Sequence, residues 1–205
     1  MSLFVTGDGN TLLSPDEEAD LIPSLATKQE LNEWERLNIV EAHAWALHRR
    51  GLARRDPLDE AYLRELHRRM FDQTWRWAGR YRTTEKNIGL PCYQIRDQLA
   101  ALLGDTRYWL EHATFAPDEI AVRLHHRLVF IHPFANGNGR TARTWVTWLM
   151  LRYSMPTFVS LKPRPGDIPY ARAAQLSMGR PPDFIGDHSA TRHVFAYLLS
   201  LAMLP

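Results

Sequence analysis

The chain has 205 residues, 45% of them hydrophobic and 23% charged, enough to bury one core as a single domain with a short extension. A formal net charge of +2, with arginines spread along the chain rather than gathered in a block, gives no support for a nucleic-acid partner. The single cysteine, Cys92, excludes an internal disulfide and a cysteine-built metal cluster and suits a reducing, cytoplasmic compartment. The opening residues Met1 to Val5, followed at once by Gly-Asp-Gly-Asn, resemble neither a signal peptide nor a membrane anchor.

The periodicity is helical almost throughout. Residues 1–26, with Gly7, Gly9, Pro15 and Pro23, read as an irregular arm that must find its contacts on the body of the domain. Thr27, with Glu30 three places on, makes a capping box that opens a helix running to about Arg50, its inward face drawn from Leu31, Trp34, Ile39, Ala42 and Trp45. Pro57 and Asp59 announce the next helix. It should pass through Tyr62, Leu66, Met70 and Phe71 to the Trp75-Arg76-Trp77 stretch and stop at Gly79.

Residues 80–92 break the pattern, with β-branched and aromatic residues early and a glycine and proline late, which predicts an extended hairpin or loop. Further helices are expected over 93–112, 117–131 and 138–153, with a C-terminal pair around 166–178 and 189–203. Ile120, Leu124, Leu128 and Ile131 make a core stripe on one of these, and Ala142, Val146, Leu149 and Tyr153 a comparable stripe on the next. His125 and His126 read as packing or surface residues, Trp145 and Trp148 as core and rim. His188 and His193 lack the carboxylate motif of a zinc site.

Between the two striped helices lies the richest segment, His132-Pro-Phe-Ala-Asn-Gly-Asn-Gly-Arg-Thr-Ala-Arg143. Pro133 disfavours helix at the residue before it, so the incoming helix should end at His132 and present its imidazole at a chain reversal. Gly137 and Gly139 allow close backbone approach to a ligand, and the next helix starts there with unpaired amides pointing outward. Such an end binds phosphate, with Arg140 and Arg143 on one helix face to extend the contact. A neutral imidazole could take a proton from an attacking hydroxyl near neutral pH. A Walker-type phosphate loop is excluded, because no Gly-x-x-x-x-Gly-Lys string occurs.

This segment resembles the Fic family signature, His-x-Phe-x-(Asp/Glu)-Gly-Asn-Gly-Arg-x-x-Arg, at every defined position but one. The resemblance implies an all-α helical bundle with a short β-hairpin flap, divided into an N-terminal arm and helix (1–59), a catalytic core (60–178) and a C-terminal helix completing the same domain (179–205). It implies a protein adenylyltransferase that moves AMP from ATP to a hydroxyl side chain of a target protein. His132 would be the base, Phe134 the loop anchor, and Gly137, Asn138, Gly139, Arg140 and Arg143 the phosphate ligands. The departure is Asn136, where the family has an acidic residue that helps hold Mg²⁺; an amide oxygen can coordinate the ion without the charge attraction.

Trp77-Ala78-Gly79 followed by Arg82, Thr83 and Thr84 is similar to the flap that aligns the target in Fic proteins. Many relatives are restrained by a helix bearing (Ser/Thr)-x-x-x-Glu-(Gly/Asn), whose glutamate pairs with the second signature arginine; the nearest string here, Ala26 to Leu31, offers Glu30 beside its capping-box reading. The arm and the Glu-Leu-Asn run further resemble the bacterial subfamily called mobile mystery protein B. A toxin-like enzyme held by an antitoxin or other regulatory partner fits these features. So do a Fic scaffold that binds nucleotide or protein without turnover, favoured by Asn136, and transfer of another phosphate-linked group.

Overall fold

The computed structural model describes residues 13–48 and 54–153; the expected C-terminal helices, His188, His193 and the first part of the arm lie outside the described residues. Among the described residues six α-helices follow in order: α1 (Pro15–Ala19), α2 (Lys28–Leu47), α3 (Glu60–Phe71), α4 (Ile95–Glu111), α5 (Pro117–Ile131) and α6 (Asn138–Arg152). Among the described residues there is no β-ladder, only one antiparallel bridge between Leu21 and Trp75, so the architecture is all-α. No described helix is long and apolar enough to cross a membrane.

The arm is more ordered than its prolines suggest. Ser14 and Glu17 close a capping box, the Ser14 amide donating to Glu17 Oε2 at 2.7 Å and the Glu17 amide to Ser14 Oγ at 3.3 Å, and this starts α1. The arm then runs as a strap across the end of α3, with Ile22 N donating to Thr74 O and Arg76 N to Asp20 O.

Thr27 and Glu30 cap α2 as their spacing predicts. Its inward stripe differs from the apolar one expected. Leu31, Glu35, Asn38, Ala42 and Ala46 are buried, whereas Trp34 is 39% exposed. The cause is polar: Glu35 Oε1 accepts from Trp75 Nε1 at 2.8 Å, and Asn38 Oδ1 accepts from Gln73 N at 3.2 Å and Thr74 Oγ1 at 3.3 Å. These bonds turn the helix so that its carboxylate and amide face the core, a cost that satisfied partners offset.

Helix α3 starts where Asp59 accepts from Ala61 N, but it stops at Phe71 rather than Gly79. Thr74 N and Trp75 N both bond back to Phe71 O, and the turns that follow point the Trp75 indole at Glu35 and the Trp77 indole at the Glu17 carbonyl. Gly79, at φ +77°, ends this stretch; a Cβ there would lie 2.8 Å from Arg68 Cβ. The expected hairpin over residues 80–92 does not form. The segment is a loop ending in a 3₁₀ turn, Cys92–Gln94, and its anchor is a buried side chain, Arg82, rather than strand pairing.

The core gathers Phe71, Trp75, Phe134, Trp145 and Trp148, all fully buried, so the second tryptophan of α6 is core and not rim. Tyr62 stacks on Trp148 at 4.4 Å between centroids, and Trp145 donates to Pro57 O at 2.6 Å. Helices α5 and α6 pack side by side, with α4 against α5 and α2 against α3. Ile120, Leu124, Leu128, Ile131, Ala142, Val146 and Leu149 are buried as their spacing predicts, while Tyr153 at the end of its stripe is 44% exposed.

Candidate active site

The loop from α5 to α6 is where the chemistry collects. His132 is the C-cap of α5 in the left-handed region, φ 54° and ψ 60°, so Pro133 does end the helix at the imidazole. Burial, then the positive charges of Arg82 and Lys86, lower its pKa to about 4, against a hydrogen bond to the Val129 carbonyl that favours the charged form. The ring is therefore neutral at physiological pH, the state in which it can accept a proton.

The backbone around this imidazole is braced by Arg82, whose side chain is fully buried. Its Nε donates to His132 O at 2.7 Å, Nη1 to Thr84 O at 2.8 Å, and Nη2 to Leu90 O. Its own amide donates to Pro133 O at 2.9 Å. Arg82 thus joins the flap to the signature loop and has little left to offer a target. Thr83 is exposed, while Thr84 Oγ1 donates to Glu17 Oε1 at 2.9 Å and Lys86 pairs with the same carboxylate. Helix α1 therefore holds the flap from its far side.

Within the loop, Phe134 is fully buried and stacks on His67 with centroids 3.7 Å apart. His67 Nδ1 accepts from Gly79 N at 2.9 Å, so Nε2 carries the proton and donates to Asn136 O at 3.1 Å. Burial lowers the His67 pKa to about 3, which keeps it neutral and this tautomer in place. Asn138 is occupied by the loop as well: Oδ1 accepts from Phe134 N and Nδ2 donates to Phe134 O, both at 2.9 Å. Its side chain shapes the turn, which corrects its expected role as a phosphate ligand.

The two glycines do different work. Gly137 has φ +77°, and a Cβ there would lie 2.5 Å from the Phe71 ring, so the fold itself demands glycine. At Gly139 an added Cβ would meet only the Arg143 Nη1 atom, at 3.9 Å. None of the described residues obstructs a side chain there. The open space at the first turn of α6 leaves its backbone amides approachable by an anion such as phosphate.

Arg140 lies beside that space, its guanidinium 4.8 Å from the Phe71 ring centroid, and its Nη1 donates to Glu35 Oε2 at 2.5 Å. Glu30, the expected restraining glutamate, is exposed and spends its carboxylate on the Ala26 and Thr27 amides. The glutamate that α2 brings to the site is Glu35, and it meets the first signature arginine, not the second. Arg143 lies near His43 and His125, both buried in large part; burial first, then the arginine charge, lowers both pKa values, that of His125 to about 3. His43 Nε2 is 2.7 Å from Thr144 Oγ1.

For a cation the loop offers the Asn136 Oδ1 atom, which already accepts from Gly137 N at 2.6 Å. Among the described residues no group of three or more His, Cys, Asp or Glu side chains could hold a metal ion. A divalent ion would have to depend mainly on the oxygens of a bound nucleotide.

Sequence reasoning missed Glu35, His67 and Glu17. The first sits in a polar run with nothing to mark it as buried. His67, by contrast, falls one helical turn from Leu63 and Met70, a spacing that marks the inward face of α3.

A sequence profile of the Fic/DOC family matches residues 57–150, the stretch that contains the whole signature. The chain carries a Fic/DOC family domain. Its Fic domain is similar to protein adenylyltransferase fic-1 of Caenorhabditis briggsae, 32% identical over 116 residues, which are 55% of this chain and 19% of that relative. It is also similar to uridine 5'-monophosphate transferase of Xanthomonas campestris, 39% identical over 74 residues, 32% of this chain and 13% of the other. The chain thus matches a fifth or less of the length of these two relatives. Among solved structures, BepC of Bartonella tribocorum, a VirB-translocated effector with bound AMPPNP, superposes with a TM-score of 0.60 at 20% identity, over 85% of this chain and 88% of that one. That likeness establishes the fold.

The two glycines separate fold from ligand. Gly137→Ala should lower the melting temperature, from the strained φ and the Phe71 contact, by the equivalent of about 1–3 kcal/mol. Gly139→Ala should leave melting nearly unchanged and weaken nucleotide binding, read by calorimetric titration with ATP. For the glutamates, Glu35→Gln keeps an acceptor for Trp75 and removes the charge competing for Arg140, so ATP affinity should rise about tenfold, equivalent to about 1.4 kcal/mol. Glu30→Gln should instead cost about 0.5–2 kcal/mol of stability, as loss of a cap contact, with ATP affinity unaltered. The reverse pattern would restore Glu30 as the restraining residue.

Proposed function

We propose that the chain is a nucleotidyltransferase that moves AMP from ATP to a hydroxyl side chain of a target protein, with His132 as the general base. The observation that carries this reading is a buried, neutral imidazole, carried on a backbone that Arg82 braces and set just before the open first turn of α6, where Gly139 leaves room for phosphate. The adenylyltransferase relative supports AMP as the group transferred.

In this reading the first-turn amides of α6 receive phosphate oxygens, and Arg140 and Arg143 balance charge on the outer phosphates. His132 takes the proton of the target hydroxyl as its oxygen attacks the α-phosphorus. The bond between the α-phosphorus and the bridging oxygen breaks, and pyrophosphate leaves with that oxygen. Little covalent work falls to the protein, which supplies position and charge. Glu35, as the partner of Arg140, would be displaced by or compete with the incoming phosphate, so α2 acts as a restraint on the site. A regulatory partner that shifts α2 would then raise nucleotide affinity.

Two other readings each have a specific observation in favour. The uridine 5'-monophosphate transferase relative favours a different nucleotidyl group on the same scaffold. Asn136, its oxygen already bonded to Gly137 N, favours a nucleotide-binding regulator with weak turnover or none.

Incubation with α-labelled or γ-labelled ATP, or α-labelled UTP, and target lysate separates these readings by which label stays on protein. α-Label from ATP should be retained, and His132→Ala should reduce its transfer by about 10²–10⁴-fold with ATP binding kept. Because the imidazole is neutral until about pH 4, the rate should be flat from pH 8 down to about pH 5 as far as the base is concerned and fall only below that. A fall centred near the ordinary histidine value, about 6.5, would count against His132 as a buried base.

Asn136→Asp adds a carboxylate near the N-terminus of α6, a favourable place for negative charge. It should lower the Mg²⁺ concentration for half-maximal transfer, or switch transfer on if the parent is silent. If that variant binds ATP and Mg²⁺ yet modifies no protein, itself included, the regulator reading prevails.

A further inference from the structure

A cavity of about 520 Å³ opens on the face of the flap formed by Tyr81 and Thr83. Three exposed arginines ring it, Arg64 from α3, Arg80 from the turn after Gly79 and Arg96 from α4, with Tyr81 and the 76% exposed Tyr93 as aromatic walls. The guanidiniums of Arg64 and Arg96 stand 5.5 and 6.0 Å from the Tyr81 ring centroid.

The grouping of unpaired arginines sets this cluster apart. Exposed Arg36 is matched with Glu33, Arg68 with Glu65 and Asp72, and Arg107 with Asp56, while exposed Arg54, Arg76 and Arg152, which also lack an ion pair among the described residues, do not line this cavity. Among the described residues Arg64, Arg80 and Arg96 enter no ion pair. Arg64 spends one donor on Gly79 O and Arg80 one on Arg76 O, which leaves most of the five N–H groups of each available. Two carboxylates border the cavity, Glu60 beside Tyr81 and Glu85 on the Cys92 amide. They do not balance three unpaired guanidiniums and the buried Arg82 that also lines the wall.

The position matters as much as the charge. Arg82 faces this cavity and, through Nε, holds the His132 carbonyl, so one side chain separates the two sites. A polypeptide laid along the flap with a hydroxyl at His132 would place neighbouring residues over Arg64, Arg80 and Arg96. We propose that this cavity docks an acidic segment of the target protein, reading its Asp or Glu side chains by fork-shaped contacts from the arginines while the tyrosines cover the intervening chain. This rests on the reading of the domain as a protein-modifying transferase and adds the class of its substrate. A cavity lined by three grouped, exposed arginines matches a few carboxylates; a nucleic-acid strand would call for a continuous basic track.

The test is fluorescence polarisation with the full chain and a fluorescein-labelled peptide of Ser, Gly and Glu, beside the same peptide with Gln at every Glu. The Glu peptide should bind at least about tenfold more tightly than the Gln peptide. The Arg80→Ala/Arg96→Ala double variant should lose that preference, and Arg36→Ala, on the surface of α2, should keep it. Arg80→Glu/Arg96→Glu should turn the preference towards a Lys peptide. No binding of the Glu peptide, equal binding by the double variant, or equally good competition from oligouridylate would overturn the proposal. So would parallel loss of ATP affinity in the double variant, since the arginines would then hold the fold rather than the ligand. Peptide binding with this pattern in a protein that transfers no nucleotide would leave the docking site standing and sink the transferase reading alone.

Discussion

Everything at the site depends on satisfying the backbone of one buried reversal. Between Ile131 and Asn138 the chain turns from α5 into α6 while most of the turn is shut away from water, and a buried carbonyl or amide without a partner is costly. A turn this short cannot supply those partners itself. Arg82 takes the carbonyls of His132 and Pro133, His67 takes that of Asn136, and Asn138 takes both the amide and the carbonyl of Phe134. The Asn136 side chain receives the Gly137 amide, and the Gly137 carbonyl receives the Thr141 amide as the first bond of α6. The left-handed His132 survives because its surroundings over-determine it.

This bracing ties distant segments together. His67 belongs to α3, Arg82 to the flap, and the flap is held in turn by Glu17 of α1 through Thr84 and Lys86. The Trp75 and Trp77 indoles, donating to Glu35 and to the Glu17 carbonyl, fix α2 and α1 to the turn between α3 and the flap. The arm is thus a structural member of the site, and Glu35, reaching both Trp75 and Arg140, couples the position of α2 to the first signature arginine.

Charge is distributed to match. The histidines within the core, His67, His125 and His132, are held neutral by burial, with neighbouring arginines adding to the effect. Positive charge is carried by arginines, which do not lose their protons when partly desolvated. Arg140 and Arg143 belong to α6, whereas the arginines around the flap cavity come from α3, α4 and the turn after Gly79.

Helices α5 and α6, the helix stop at His132 and a glycine-marked turn between the helices were legible in the sequence because each has a local signal: apolar spacing, the steric effect of Pro133, and Gly137 with Gly139; the left-handed conformation of His132 and the Phe71 ring that demands Gly137 came from the structure. The capping box of α2 is local too, and so is that of α1, whose Ser14 and Glu17 carry the same signal in a segment that its prolines disguise. The tertiary structure decided the rest. It turned Glu35 and Asn38 inward on α2, ended α3 eight residues before Gly79, replaced a flap hairpin with a buried arginine, and gave the Asn138 side chain to the turn instead of to phosphate. Hydrophobic period assigns polar residues to water, and it has no means of knowing that an indole, an amide or a carbonyl from another part of the chain will arrive to satisfy them.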